Sequence, residues 1–143
     1  MLDNDFLSRK IKLIQEDLSL LEKLGAYSFD ELAKDFIKMG AVERVLEKVI
    51  MRAIDINQHL IAELGKGNER VRSYEDTFYV LSDLGVYSEK FAKAIAPSAG
   101  LRNRLVHEYN DTKKEIIYKS VAQAISQYSK YCAYILKFLS KKP

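Results

Sequence analysis

The string Arg102-Asn103-Arg104-Leu105-Val106-His107-Glu108-Tyr109 holds the side chains of this sequence best suited to chemistry on a phosphodiester. On a helix, Asn103 and His107 stand four apart and stack on one face, with Arg102 on the adjoining edge. Leu101, Leu105 and Val106 then take the opposite, buried side and hold the polar trio outward. An imidazole has the unperturbed pKa nearest neutrality, so His107 can take a proton from a ribose hydroxyl or give one to a leaving oxygen. The Arg102 guanidinium can make paired, charge-assisted hydrogen bonds to phosphate and stabilise charge that builds in the transition state. Such chemistry needs neither a metal nor a cofactor. RNA is its natural substrate, because the 2′-hydroxyl can attack the neighbouring phosphate and leave a cyclic phosphate end. Spacing alone leaves a structural histidine open as the alternative. Arg104 either adds a phosphate contact or keeps its face solvated, and Tyr109, by residue type, is a packing residue with a solvated hydroxyl.

Holding that trio in place falls to helices. Two prolines interrupt the chain, and apolar residues recur every three or four positions, the helical period. The pattern predicts an all-α antiparallel bundle of about five to six helices, in a single domain over 1–143. Leu7, Ile11, Ile14, Leu18 and Leu21 form the first stripe, closed by Gly25. Ser28 caps a short second helix, and Gly40 marks a break or bend before the longest helix, which carries Val42 to Leu64 and ends at Gly65-Lys66-Gly67-Asn68. Ser73 or Tyr74 opens a fourth helix with Phe78, Leu81 and Leu84 inward, and Ser88 caps a fifth with Phe91 and Ile95 buried. Pro97 and Gly100 predict a kink or a fresh helix start just before the motif. The last helix repeats Ile117, Val121, Ala124, Tyr128, Tyr131, Ile135 and Phe138.

Composition excludes several classes. The chain of 143 residues is long enough to bury a core without staples, and its one cysteine, Cys132, permits neither an intrachain disulfide nor a thiolate metal cage. The acidic start Met1-Leu2-Asp3-Asn4-Asp5 is unlike a secretory signal, and no apolar run approaches the length of a membrane span, so a cytoplasmic protein is expected. A net charge of +3 does not by itself indicate nucleic-acid binding, although Lys66, Arg70 and Arg72 cluster in one loop. Asp55 and His59 share metal-ligand spacing without a third ligand, and read better as a hydrogen-bonded pair, with Asp55 a candidate for tuning His107. Most of the nine tyrosines fall at core positions, some at a dimer contact.

Arg102-Asn103-x-Leu105-Val106-His107-x-Tyr109 resembles the R-N-x-L-V-H-x-Y signature of the HEPN superfamily, specifically its HepT-like branch of prokaryotic toxins. Glu43-Arg44-Val45-Leu46, Asp55-Ile56 with His59-Leu60-Ile61, Ser73-Tyr74 before Phe78, and Leu81 ahead of Gly85-Val86 resemble that branch as well. The likeness runs from about Asp30 to the C-terminus. It implies a homodimer whose two motifs face a shared cleft, and metal-independent endoribonuclease activity with Arg102 and His107 as the catalytic pair and Asn103 in support. It also implies that a minimal nucleotidyltransferase antitoxin adenylylates Tyr109. The alternative within the superfamily is a non-catalytic module that binds a nucleotide or a nucleotidyltransferase. A helical interaction protein without a nucleotide role is the third possibility.

Overall fold

In the computed structural model, residues 2–65, 67–101 and 111–141 are described, the last stretch with its side chains from 114 onward. Among them are six α-helices and one 3-10 turn.

The first helix, α1 (Asn4–Leu24), starts where the Asp3 carboxylate accepts the Phe6 N–H at 3.0 Å, satisfying one of the donors a helix start leaves bare. Its stripe of Leu7, Ile11, Ile14, Leu18 and Leu21 is buried as the spacing predicts. Ser28 and Glu31 form a reciprocal capping box at α2 (Phe29–Lys34). The Ser28 N–H, and then its hydroxyl, hold the exposed Glu31 carboxyl below the ordinary carboxylate range.

Asp35 closes α2 and also caps α3 (Phe36–Leu64), accepting the Lys38 N–H. The helix therefore starts before Gly40 and passes through it, contrary to the break expected there. A glycine weakens a helix without stopping it when the capping signal lies upstream. Nor is α3 the longest element: it has 29 residues and α6 (Asp111–Ser140) has 30.

Between α3 and α4 (Tyr74–Asp83) the chain turns through left-handed glycines, Gly65 at φ 68° and Gly67 at φ 87°, and the 3-10 turn Asn68–Arg70. A Cβ on Gly67 would stand 2.5 Å from Cγ1 of Val80, inside any allowed contact. One on Gly40 would meet nothing within 4 Å. Opposite effects follow. Gly67→Ala should lose about 1–3 kcal/mol through strain, and Gly40→Ala should gain about 0.4–1 kcal/mol by restricting the unfolded chain. Thermal melts of the two variants should shift in opposite directions; a shift of the same sign in both would contradict this steric picture.

Helices α1 and α3 run antiparallel, and their cross-links show the register. The Asp3 N–H donates to Nε2 of His59 at 3.1 Å, Lys10 pairs with Asp55 at 3.0 Å, and Asp17 pairs with Arg52. Helix α6 packs against both. Its Tyr131 hydroxyl reaches Oδ1 of Asn57 at 2.6 Å and the Ala53 carbonyl at 3.1 Å, while Nδ2 of Asn57 donates to Thr77 on α4 at 3.0 Å. All three side chains are fully buried, so this small network satisfies polar groups that would otherwise be costly in the core. Phe138 and Leu84, expected inward, are only partly buried at the edge of the core.

Candidate functional site

The chain reaches the motif through α5 (Glu89–Ile95), which Ser88 caps by accepting the Phe91 N–H. Pro97 carries no N–H and cannot continue the ladder of bonds, so the helix breaks at 96–97 and helical backbone resumes at 98–101. The fresh start expected at Pro97 is there. Ser98 fastens it: its hydroxyl donates to the Ile95 carbonyl and accepts from the Tyr128 hydroxyl, both at 2.6 Å. Burial pushes the Tyr128 phenol far above its ordinary pKa, so it stays protonated as the donor this link requires. At the adjacent position of α6, Nε2 of Gln127 donates to the Ala94 carbonyl at 2.8 Å. Ala99 is buried and Leu101 packs on the edge of the core, so the residues that lead into Arg102 are held by α6 through two hydrogen bonds and apolar contact.

Beyond the motif, α6 begins at Asp111 and is soon secured. Nζ of Lys114 donates to the Ala33 carbonyl at 3.3 Å, Ile117 is buried, and the Tyr118 hydroxyl donates to the Tyr27 carbonyl at 3.2 Å. The string Arg102 to Tyr109 itself, with the expected trio Arg102, Asn103 and His107, the variable Arg104 and the anchors Leu105 and Val106, lies outside the described residues. Both flanks of that string belong to the packed frame.

Asp55 and His59 do not form the hydrogen-bonded pair expected from their spacing. Each faces α1 and is taken there by a different partner: Asp55 by Lys10, and His59 by the Asp3 N–H and the Phe6 ring, whose centroid lies 5.0 Å away. A helix sets the two side by side, but the neighbouring helix decides what each one binds. Among the described residues no group of three or more His, Cys, Asp or Glu could hold a metal ion. Cys132 is buried in the core, and desolvation pushes its thiol up to about 12.

Two cavities adjoin the residues that lead into the motif. One, of about 320 Å³, lies between 97–101 and α6, with Ser120, Gln123 and Gln127 on its rim. The other, of about 500 Å³, is walled by Gln58, Arg72, Tyr74, Glu75 and the backbone at Ala99 and Gly100. Sequence reasoning saw Arg72 as part of a basic loop and Tyr74 as a helix start, and gave neither a place beside the motif. It also missed the Ser98–Tyr128 link, whose only trace in the sequence is a serine directly after the helix-breaking proline. No helix among the described residues is long and apolar enough to cross a membrane.

The family model described as Ribonuclease HepT-like matches residues 14–135. Over 133 residues the chain is 36% identical to the tRNA nuclease HepT of Aphanizomenon flos-aquae, a match covering 91% of this chain and 87% of that one. A relative from Archaeoglobus fulgidus is 32% identical over 132 residues, covering 92% of this chain and 86% of its own. Among solved structures, a toxin–antitoxin with AMP-PNP superposes with a TM-score of 0.83 at 20% identity, covering 94% of this chain and 99% of that chain. A tri-AMPylated HEPN toxin of Shewanella oneidensis, in complex with an MNT antitoxin, superposes with a TM-score of 0.82 at 21% identity and the same coverage. At such identities the superpositions establish a shared all-α fold.

Proposed function

This chain belongs to the HepT-like ribonuclease family, and from that premise we propose that it is a metal-independent endoribonuclease toxin of the cytoplasm, restrained by a nucleotidyltransferase antitoxin. One observation carries the reading: the family match over 14–135 contains both the packed frame and every residue from Arg102 to Tyr109.

The chemistry follows from the side-chain types. His107 takes the proton of a ribose 2′-hydroxyl, and the 2′-oxygen attacks the adjacent phosphorus. The bond to the 5′-oxygen breaks, leaving a 2′,3′-cyclic phosphate and a 5′-hydroxyl. Arg102 offsets charge on the phosphoryl oxygens as it builds, and Asn103 orients the phosphate or the imidazole. The leaving oxygen needs a proton that one histidine, having just become the base, supplies poorly from the far side of the phosphorus. A homodimer resolves this, with the partner's His107 acting as the acid. The links from Ala94 and Ser98 to Gln127 and Tyr128 on α6 support the reading, because a catalytic group is effective only when its backbone is held.

Cleavage of RNA by the purified chain in the presence of excess chelator is the test, with tRNA the first substrate to try. Cyclic phosphate ends and indifference to chelator are expected, and an unmodified wild-type protein that cuts no RNA would sink the proposal.

Control follows from Tyr109. Its phenol oxygen would attack the α-phosphorus of ATP on the antitoxin, releasing pyrophosphate and placing a bulky anion two residues from His107. Mass spectrometry after co-expression with a nucleotidyltransferase encoded beside this chain should find AMP on Tyr109, and the modified protein should lose cleavage. An unmodified Tyr109 in protein that is nevertheless silenced would rule out this form of control.

A further inference from the structure

We propose that the cavity walled by Arg72, Tyr74 and Gly100 is a subsite for one unpaired nucleotide of the RNA, flanking the phosphate that is cut; this rests on the ribonuclease reading above. Its volume of about 500 Å³ lies within the range of small-ligand pockets and leaves room for a nucleotide. Gly100 is two residues before Arg102, so chain connectivity alone puts this wall beside the motif. A Cβ at Gly100 would meet nothing within 4 Å, which shows how open that wall is.

The side chains around the cavity suit a nucleotide in kind and in placement. Tyr74 leaves 43% of its surface exposed, whereas Tyr87, Tyr128 and Tyr131 are buried in the core. An exposed ring at the mouth of a cavity is a platform on which an unstacked base of any identity can lie. The exposed guanidinium of Arg72 makes no ion pair among the described residues, while Arg52 and Arg70 each hold a carboxylate. It is available for a phosphate oxygen. Gln58 and Glu75 offer an amide and a carboxylate to a base edge, and the Glu75 charge turns a second phosphate away from that end.

The backbone that carries these groups is held before any ligand arrives. The N–H groups of Arg72 and Ser73 both donate to Oδ2 of Asp76, at 2.9 and 3.2 Å. The buried Thr77 donates to the Tyr74 carbonyl at 2.6 Å and accepts from Asn57. Rigid support of this kind lowers the ordering cost that binding would otherwise incur.

The test is a fluorescence anisotropy titration with a short single-stranded 2′-O-methyl oligoribonucleotide, which the proposed chemistry cannot cut, run beside cleavage of the matching RNA. Tyr74→Ala and Arg72→Ala should each weaken binding about tenfold, and Tyr74→Phe should bind as wild type does. In cleavage the two alanine variants should raise KM and keep kcat. Unchanged binding and KM in both alanine variants overturns the subsite and leaves the ribonuclease reading standing. Wild-type protein that binds through Arg72 and Tyr74 yet cuts no RNA sustains the subsite and sinks the ribonuclease reading. Should free AMP bind through Arg72 and Tyr74 while the oligonucleotide is indifferent to both variants, the cavity is a mononucleotide site and the proposal falls.

Discussion

Alanine in place of His107 should reduce RNA cleavage by about 10²- to 10⁴-fold, the usual contribution of a positioned general acid or base. Arg102→Ala should cost about 10²- to 10³-fold, as the loss of one strong electrostatic contact to the transition state does. The double variant should be little worse than His107→Ala alone, because in the proposed mechanism the two groups serve one step and their effects do not add. Each variant should keep the wild-type melting temperature, so that the loss is read as chemistry and not as unfolding. RNA carrying a single 2′-deoxy sugar at the scissile position should resist the wild-type protein just as completely. A dimer with one His107→Ala subunit separates the roles. If one histidine is base and the partner's His107 is acid, that mixed dimer should fall well below half the wild-type rate. A rate equal to wild type per dimer would remove the two-histidine scheme, and unimpaired cleavage by pure His107→Ala protein would remove His107 from the mechanism altogether.

The sequence was most readable where a property depends on neighbours along one helix. The stripe Leu7, Ile11, Ile14, Leu18 and Leu21, the caps Ser28, Ser73 and Ser88, and the break at Pro97 all follow from rules that span four residues or fewer, and all are found. Gly40 misled because a weak local signal was weighed without the stronger one at Asp35 just upstream. Properties that depend on another helix were hidden. Asp55 and His59 could be placed on one face, but that Lys10 and Asp3 would claim them depends on how α1 docks. Asn57 recurs with the apolar face of α3, and its partners Thr77 and Tyr131 come from two other helices. The same limit applies to the candidate site. The motif was legible as a string, since its residues are contiguous, whereas the cavity beside it assembles Gln58, Tyr74 and Gly100 from three separate stretches of chain.

The strongest case of a partner that sequence does not disclose is Asp17, and removing that partner should give the largest stability loss among the charged positions. Asp17 follows the apolar rhythm of α1 closely enough to be carried into the α1–α3 interface, where its side chain is only 6% exposed. Arg52 pairs with it directly, and Lys48 stands at 3.9 Å. Arg52→Ala would leave a buried carboxylate facing Lys48 alone, at an expected cost of about 3 kcal/mol, near the lower end for breaking a buried pair because one cation remains. Replacing both members, Asp17→Leu with Arg52→Leu, removes the orphaned charge and should recover most of that loss. The contrasting case is Arg70 with Asp83, where the side chains are 59% and 46% exposed. Water already solvates that pair, so Arg70→Ala should cost about 0–1 kcal/mol. Urea denaturation at low and high salt distinguishes the two sites: the Arg52 effect should survive added salt, while any Arg70 effect should shrink. A loss below about 1 kcal/mol for Arg52→Ala would mean that the apolar stripe alone holds α1 against α3.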